Sequence, residues 1–434
     1  MTSESAVILP STARPVSPWS QLTYTAFLLV LMLAPQRQLH LYYLIVTVLV
    51  VGFSINRIPR FVNRLSIPFL LLTGFLLFGA LVRSIAFSGG NARDYLEVAR
   101  FFPVILVFAT PFRWRHLRIG AVVDAALAYL AIDAVISVLQ ITGLNPGGLV
   151  TRVGRIYSSS THLESALGIS GRALGLSSGP GQHGAILFVI TVVSLYGLLT
   201  LPARRIRCLL GFLVGLVTIL LAQSQTAFVV TAAVVFGLLC VFLVRGDRHG
   251  RRTAGLILAG ILGSSAYLIT VIAVRFHYLF TLFVYGLGRS SYQHRQEKWA
   301  DILGRAFEQP WWLPLGWGKD YFGRVSGAMD SDLLYIFSVY GAIVFAVFLI
   351  LLLGFLWNTL RKVILRGNLA DYRVLLFALL LGGLVFSWPS AFFTSPNILV
   401  LLALVYASWW WESQEPRAPR PTAGPLRPSS EALA

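Results

Sequence analysis

Residues 184–244 read GAILFVITVVSLYGLLTLPARRIRCLLGFLVGLVTILLAQSQTAFVVTAAVVFGLLCVFLV. Three apolar runs, 183–200, 206–222 and 225–244, follow one another with almost nothing between them. The first link carries Arg204, Arg205 and Arg207; the second, Ala222–Gln225, carries no charge. None of the runs alternates polar with apolar residues, as strands of a closed barrel would. Each comes close to the roughly 20 apolar residues that a helix needs to cross hydrocarbon. The stretch is read as three membrane-spanning helices joined by one basic and one neutral turn.

The same pattern extends in both directions. Further spans are read near 20–35, 39–54, 66–83, 93–110, 117–142, 253–274, 332–359, 371–388 and 395–411, about a dozen in all. Alternate links are basic: Arg57/Arg60/Arg64, Arg113/Arg115/Arg118, Arg204/Arg205/Arg207, Arg245/Arg248/Arg251/Arg252 and Arg361/Lys362/Arg366. By the positive-inside rule these links face the cytoplasm, and both termini then lie on that side. The remaining short links, Pro35–Gln38, Ala222–Gln225 and Trp388–Thr394, are nearly uncharged. Composition agrees, because charged residues are only 12% of the chain, against about a quarter in a soluble protein. Mean hydropathy is +0.75. The expected fold is an all-α polytopic membrane protein. The net charge of +18 reflects topology, with membrane lipids as its partner and no nucleic acid.

The first 19 residues read as a cytoplasmic segment without a cleavable signal, so the first span serves as an uncleaved anchor. The membrane domain runs from 20 to 411. Residues 412–434, rich in Pro, Arg, Ser and Ala, read as a disordered cytoplasmic tail. The two cysteines, Cys208 and Cys240, lie in or beside spans, so no disulfide framework holds the outer loops.

Two long polar stretches, about 143–182 and 275–331, fall on the side opposite the basic links. The first contains Arg152, Arg155, His162 and Glu164 and ends in a glycine- and serine-rich run from Gly171 to Gly184, with Arg172, Gly175 and His183. Glycines let backbone N–H groups approach a ligand, and a helix starting near Gly181–His183 would turn its positive end outward, where an anion binds. An arginine there adds a forked donor for phosphate. The plainer alternative is an ordinary helix start with a topological arginine.

In the second stretch Trp299, Ile302, Leu303 and Phe307 recur at helical spacing, with Arg295 and Lys298 on another face. The pattern predicts an amphipathic helix in the membrane interface. Asp330 and Asp332 stand where the chain re-enters apolar sequence. They suit a general base, or capping of the next helix, and one of the two is expected to be a cap. Within the spans, Arg93, Asp94, Glu97 and Arg100 open the fourth, with Arg93–Glu97 and Glu97–Arg100 at pairing distance on one helix. Asp133 lies mid-span in the fifth, where a carboxylate needs a partner; Arg100 is the expected one.

The order of these features resembles the O-antigen polymerase / O-antigen ligase superfamily of bacterial envelope glycosyltransferases, which are GT-C-like enzymes. Arg172-Ala173-Leu174-Gly175 with Pro180 is similar to the family's Arg-x-x-Gly before a span, and Gln223–Thr226 to its short polar turn. Arg295 and Trp299 resemble the start of its large loop, and Gly316-Trp317-Gly318 its Gly-x-Gly. Asp330 and Gly341 match its last element, where O-antigen ligases have His in place of Asp330. That departure favours a polysaccharide polymerase.

The resemblance implies an inverting, metal-independent transfer at the periplasmic face of the bacterial inner membrane, without a cofactor. The donor would be a glycan on undecaprenyl diphosphate and the acceptor a sugar of another lipid-linked repeat unit, with a chain-length regulator as a further candidate partner. Arg172 and Arg295 would neutralise the diphosphate leaving group, supported by Arg289 and Lys298. Asp330 would be the base, with Asp332 or Glu164 behind it. Gly175, His183 and Arg100 complete the expected binding set. Three rivals stand beside this reading. A ligase of the same superfamily would attach a finished polymer to lipid A core or another acceptor. A transporter of lipid-linked sugars would show repeated halves with charges along a midplane path, which this sequence lacks. A non-catalytic scaffold of an envelope assembly would not need arginines clustered beside glycine turns.

Overall fold

Apolar runs interrupted only by glycine, proline and charged turns leave the backbone one inexpensive solution in hydrocarbon, the helix. A computed structural model describes residues 18–35, 42–48, 66–86, 92–109, 119–169, 171–285, 290–319, 331–367 and 369–414, and among these the protein is helical with no strand. In chain order, α1 (Pro18–Leu33) and α2 (Ile67–Ala86) precede a broken pair, α3 (Ala92–Ala99) and α4 (Phe102–Ala109). Next come α5 (Ile119–Thr142) and the short α6 (Leu149–Tyr157), then a run of long helices, α7 (Pro180–Thr200), α8 (Arg205–Ala222), α9 (Gln225–Arg245) and α10 (Arg248–Arg275). After α11 (His277–Tyr285) and α12 (Ser290–Glu308), the bundle closes with α13 (Ala342–Thr359), α14 (Arg373–Phe386) and α15 (Pro396–Gln414).

Seven described helices are long and apolar enough to cross a membrane: α2, α5, α7, α8 with its preceding turn, α9, α10, and α13 with its continuing turn. Shorter apolar helices stand at three more of the expected spans, within α1, α14 and α15. Two expectations change. The span at 93–110 is two helices, because Pro103 has no N–H to give Ala99 and the chain turns at Arg100–Phe101. The span at 332–359 is also broken, with a short helix (Asp332–Tyr335), one wide turn (Ile336–Tyr340) and a non-helical Gly341 before α13. Of the span at 39–54 only residues 42–48 are described.

The centre is α7, buried along nearly its whole length, as a helix apolar on every side must be. Small residues let its neighbours approach. A Cβ on Gly215 would lie 2.4 Å from the Thr191 hydroxyl, and one on Gly197 would lie 2.8 Å from Cys208 Sγ. Such contacts drive helix association where lipid removes the hydrophobic incentive. By contrast α10 is almost wholly exposed, presenting Leu256, Leu262, Ile269 and Val274 outward, a surface suited to hydrocarbon.

The helices alternate direction between two ends. One end gathers the described basic links: Arg204 pairs with Asp124 at 3.1 Å, Arg205 donates to Thr253 at 2.9 Å, and Arg245 donates to the Leu365 carbonyl. The links at 57–64 and 113–118 lie outside the described residues. The other end gathers the turns 171–182, 222–225, 312–319, 331–341 and 387–395, joined by Ala173 N–H to Leu221 O at 3.0 Å, Trp317 N–H to Ser338 O at 2.8 Å and Asp332 N–H to Ser387 O at 3.0 Å.

Candidate functional site

At this second end the turn after Gly171 is bound to α5 and α7 by side chains. Gln140 Oε1 accepts the N–H groups of Leu174 and Gly175, each at 2.9 Å, and Asp133 Oδ1 accepts that of Leu176 at 2.8 Å. Gly175 has a φ of +52°, and a Cβ there would lie 2.2 Å from Asp133 Oδ1 and 2.4 Å from His183 Nε2. Both the backbone sign and the space require glycine. Its N–H therefore faces Gln140, not a ligand. His183 is likewise wholly buried, with Nε2 at 2.7 Å from Asp133 Oδ2 and Nδ1 at 3.0 Å from the Ala173 carbonyl. The expected partnership of Asp133 with Arg100 is thus replaced by one with His183, and Gly175 and His183 shape the turn from inside.

Arg172 emerges from this turn half-buried. Its Nε donates to the Ala222 carbonyl at 3.3 Å and its guanidinium lies 4.4 Å above the Tyr278 ring, a cation–π contact that fixes the plane of the fork. Glu164 is exposed at the end of the short helix Ser160–Glu164. Arg295 and Lys298 are half-buried on α12. That helix fits the amphipathic expectation at Ile302, which is buried, and at Trp299, which packs edge-on against Trp388 at 5.5 Å; Phe307 stays exposed. Arg289 and Asp330 lie outside the described residues.

A second cluster was only partly legible in sequence. Arg83 on α2 pairs with Asp94 at 3.0 Å and donates to the carbonyls of Leu315 and Gly316 at 3.1 and 3.2 Å. Glu97, 3% exposed, accepts from Arg100 at 2.8 Å, Lys319 Nζ at 2.7 Å and the Tyr340 hydroxyl at 2.8 Å. The Lys319 N–H donates to Asp94 at 2.7 Å. The Gly-x-Gly makes this possible. Gly316 (φ +74°) and Gly341 (φ +97°) cross backbone on backbone, where either Cβ would sit 2.4 Å or less from a carbonyl oxygen. Sequence gave no reason to join these residues, since α2 and α3, with Arg83, Asp94 and Glu97, lie more than 200 residues from Lys319 and Tyr340.

Asp332 is neither a helix cap nor a free base. Ser331 caps the short helix by accepting Leu334 N–H at 3.4 Å. The Asp332 carboxylate, 1% exposed, takes the Phe392 N–H, the Thr394 N–H at 3.2 Å and the Thr394 hydroxyl. Arg100 in turn donates to the Thr394 carbonyl, and Gln182 at the start of α7 donates to Ser395 at 3.2 Å. The turn 387–395, which in sequence is a plain neutral link, is the junction of the Arg172 turn, the Glu97 cluster and α12.

These elements define an all-helical protein with helices of membrane-spanning length and a polar, charge-bearing end. No protein-family model, curated protein or solved structure matches the chain.

Proposed function

We propose that the protein is an inner-membrane glycosyltransferase that polymerises lipid-linked polysaccharide repeat units on the periplasmic side. It would transfer the growing glycan from undecaprenyl diphosphate to the acceptor sugar of another lipid-linked unit. The observation that carries this reading is Arg172, a half-buried guanidinium held over Tyr278 by an anchored turn at the end remote from the described basic links. A preorganised cation of this kind stabilises charge that develops on a leaving diphosphate without reorganising during the reaction. Arg295 and Lys298 on α12 supply further positive charge, with Arg289 close to them in sequence. Asp330 is the proposed base. Asp332 is committed to the 392–394 turn and Glu97 to three donors, so neither is available for that task. The exposed apolar faces of α10 and its neighbours would meet lipid tails, and the basic links would face the cytoplasm.

The test is the polymer made when Arg172→Ala or Arg295→Ala replaces the wild-type chain. Loss of polymer with the protein still present in the membrane is the expected result. Polymer of wild-type length in both variants refutes the assignment.

A further inference from the structure

The polar pair at the centre of the bundle has no part in the proposed chemistry, yet every group in it is committed. Asp133 and His183 are both wholly buried. The Ala173 carbonyl can only accept, so His183 Nδ1, 3.0 Å away, carries a proton. Nε2 faces Asp133 Oδ2 at 2.7 Å, a separation at which one proton must lie between two acceptors. Either an imidazolium faces a carboxylate or a neutral imidazole faces a carboxylic acid; in both cases the pair holds a single proton there.

Around this pair the backbone N–H groups of residues 173–176 and the carbonyls of 173–175 are all accounted for. Ala173 N–H goes to Leu221 O, and Ala173 O receives His183. Leu174 N–H goes to Gln140, and Leu174 O receives both the N–H and the hydroxyl of Ser177. Gly175 exchanges N–H and carbonyl with Gln140, the latter at 3.3 Å, and Leu176 N–H goes to Asp133. Apolar packing alone would leave a turn without regular secondary structure free to take other conformations. A satisfied polar network selects one. Arg172 directly precedes it, its own N–H held by Ala166 O at 2.8 Å.

We infer that Asp133, His183 and Gln140 are positioning residues: they hold the 173–176 turn in the one conformation that aims Arg172, and Asp133 and His183 do so through one shared proton. The inference rests on the reading of Arg172 as the group that binds a diphosphate.

The experiment uses the full chain in lipid nanodiscs, with two readouts. Hydrogen exchange is followed in peptides covering 171–178, and farnesyl diphosphate binding is titrated, with inorganic pyrophosphate as the lipid-free control. In Asp133→Ala, exchange in these peptides rises and farnesyl diphosphate binding weakens, each by about tenfold for the hydrogen bonds lost, beyond any rise of exchange in peptides from the other helices. Asp133→Asn restores both readouts, because its oxygen still accepts Leu176 N–H and its amide donates the missing proton to Nε2 of a neutral His183. If Asp133→Ala does not fold, Gln140→Ala removes the acceptor of two N–H groups without touching a charge and is judged the same way. Wild-type exchange and binding in Asp133→Ala, or an Asp133→Asn as impaired as Asp133→Ala, overturns the inference. Wild-type chain that binds no farnesyl diphosphate refutes the diphosphate reading instead, and the exchange arm then judges the anchoring by itself.

Discussion

Replacing Glu97 by Gln keeps the shape of the side chain and removes its charge from the middle of the cluster. Arg100, 7% exposed, then loses its counter-charge at 2.8 Å, and breaking a buried pair from one side costs about 3–5 kcal/mol. The Lys319 side chain is 36% exposed, so its share is screened and adds about 1 kcal/mol at most. Arg100→Met costs less, about 2–3 kcal/mol, because Lys319 and Tyr340 still hold Glu97. The double variant leaves no buried charge without a partner, so its total falls short of the sum of the single costs by about 2 kcal/mol. The assay is the unfolding free energy of the chain in mixed lipid–detergent micelles titrated with a denaturing detergent. Costs that add to within about 0.5 kcal/mol would mean that the two residues do not form one unit, and the cluster as described would be refuted.

Other consequences follow from the same geometry. Gly341→Ala forces a Cβ to within 2.3 Å of the Pro314 carbonyl at a φ of +97°; it should cost several kcal/mol, at least about 3, and lower the yield of folded protein, which size-exclusion profiles would measure. Gly215→Leu drives a side chain into Thr191 and should separate α7 from α8 at a cost of about 1–3 kcal/mol; unchanged thermal stability would contradict that packing. Tyr157 tests the outer loop through pH. Burial, with the Asp133 charge adding, pushes its hydroxyl up to about 12, and the hydroxyl donates to the Leu33 carbonyl. Because the folded value exceeds the ordinary one of about 10, this contribution is complete below that pH and is lost as pH rises toward about 12. Stability across that window should therefore fall more steeply in wild type than in Tyr157→Phe, and equal slopes would contradict it.

Local pattern was enough to locate α5, α7, α8, α9 and α10, because an uninterrupted apolar run has no competing solution in hydrocarbon. It also located α12, whose buried Ile302 sits in the expected stripe, and it singled out the Arg172 turn. What it missed depends on distant partners. Asp133 needed a counter-group, and sequence offered Arg100. The structure instead joins Asp133 to His183, a pairing decided by how helices pack, while Arg100 keeps the partner three residues away that its spacing offered, Glu97. Lys319 reached Glu97 only because Gly316 and Gly341 let two backbones cross. The neutral 387–395 turn gave no chemical signal at all, since it serves the cluster with backbone groups and hydroxyls.

The central claim is that this chain lengthens lipid-linked glycans with the help of Arg172. The most direct test is the glycan profile of a strain deleted for the protein and complemented with wild type or Arg172→Ala. The account predicts that single lipid-linked repeat units accumulate in the deletion, disappear with wild type and persist with Arg172→Ala. Normal-length polymer that is merely unattached would contradict the polymerase reading in favour of a ligase, and unaltered glycans would contradict a role in glycan transfer altogether.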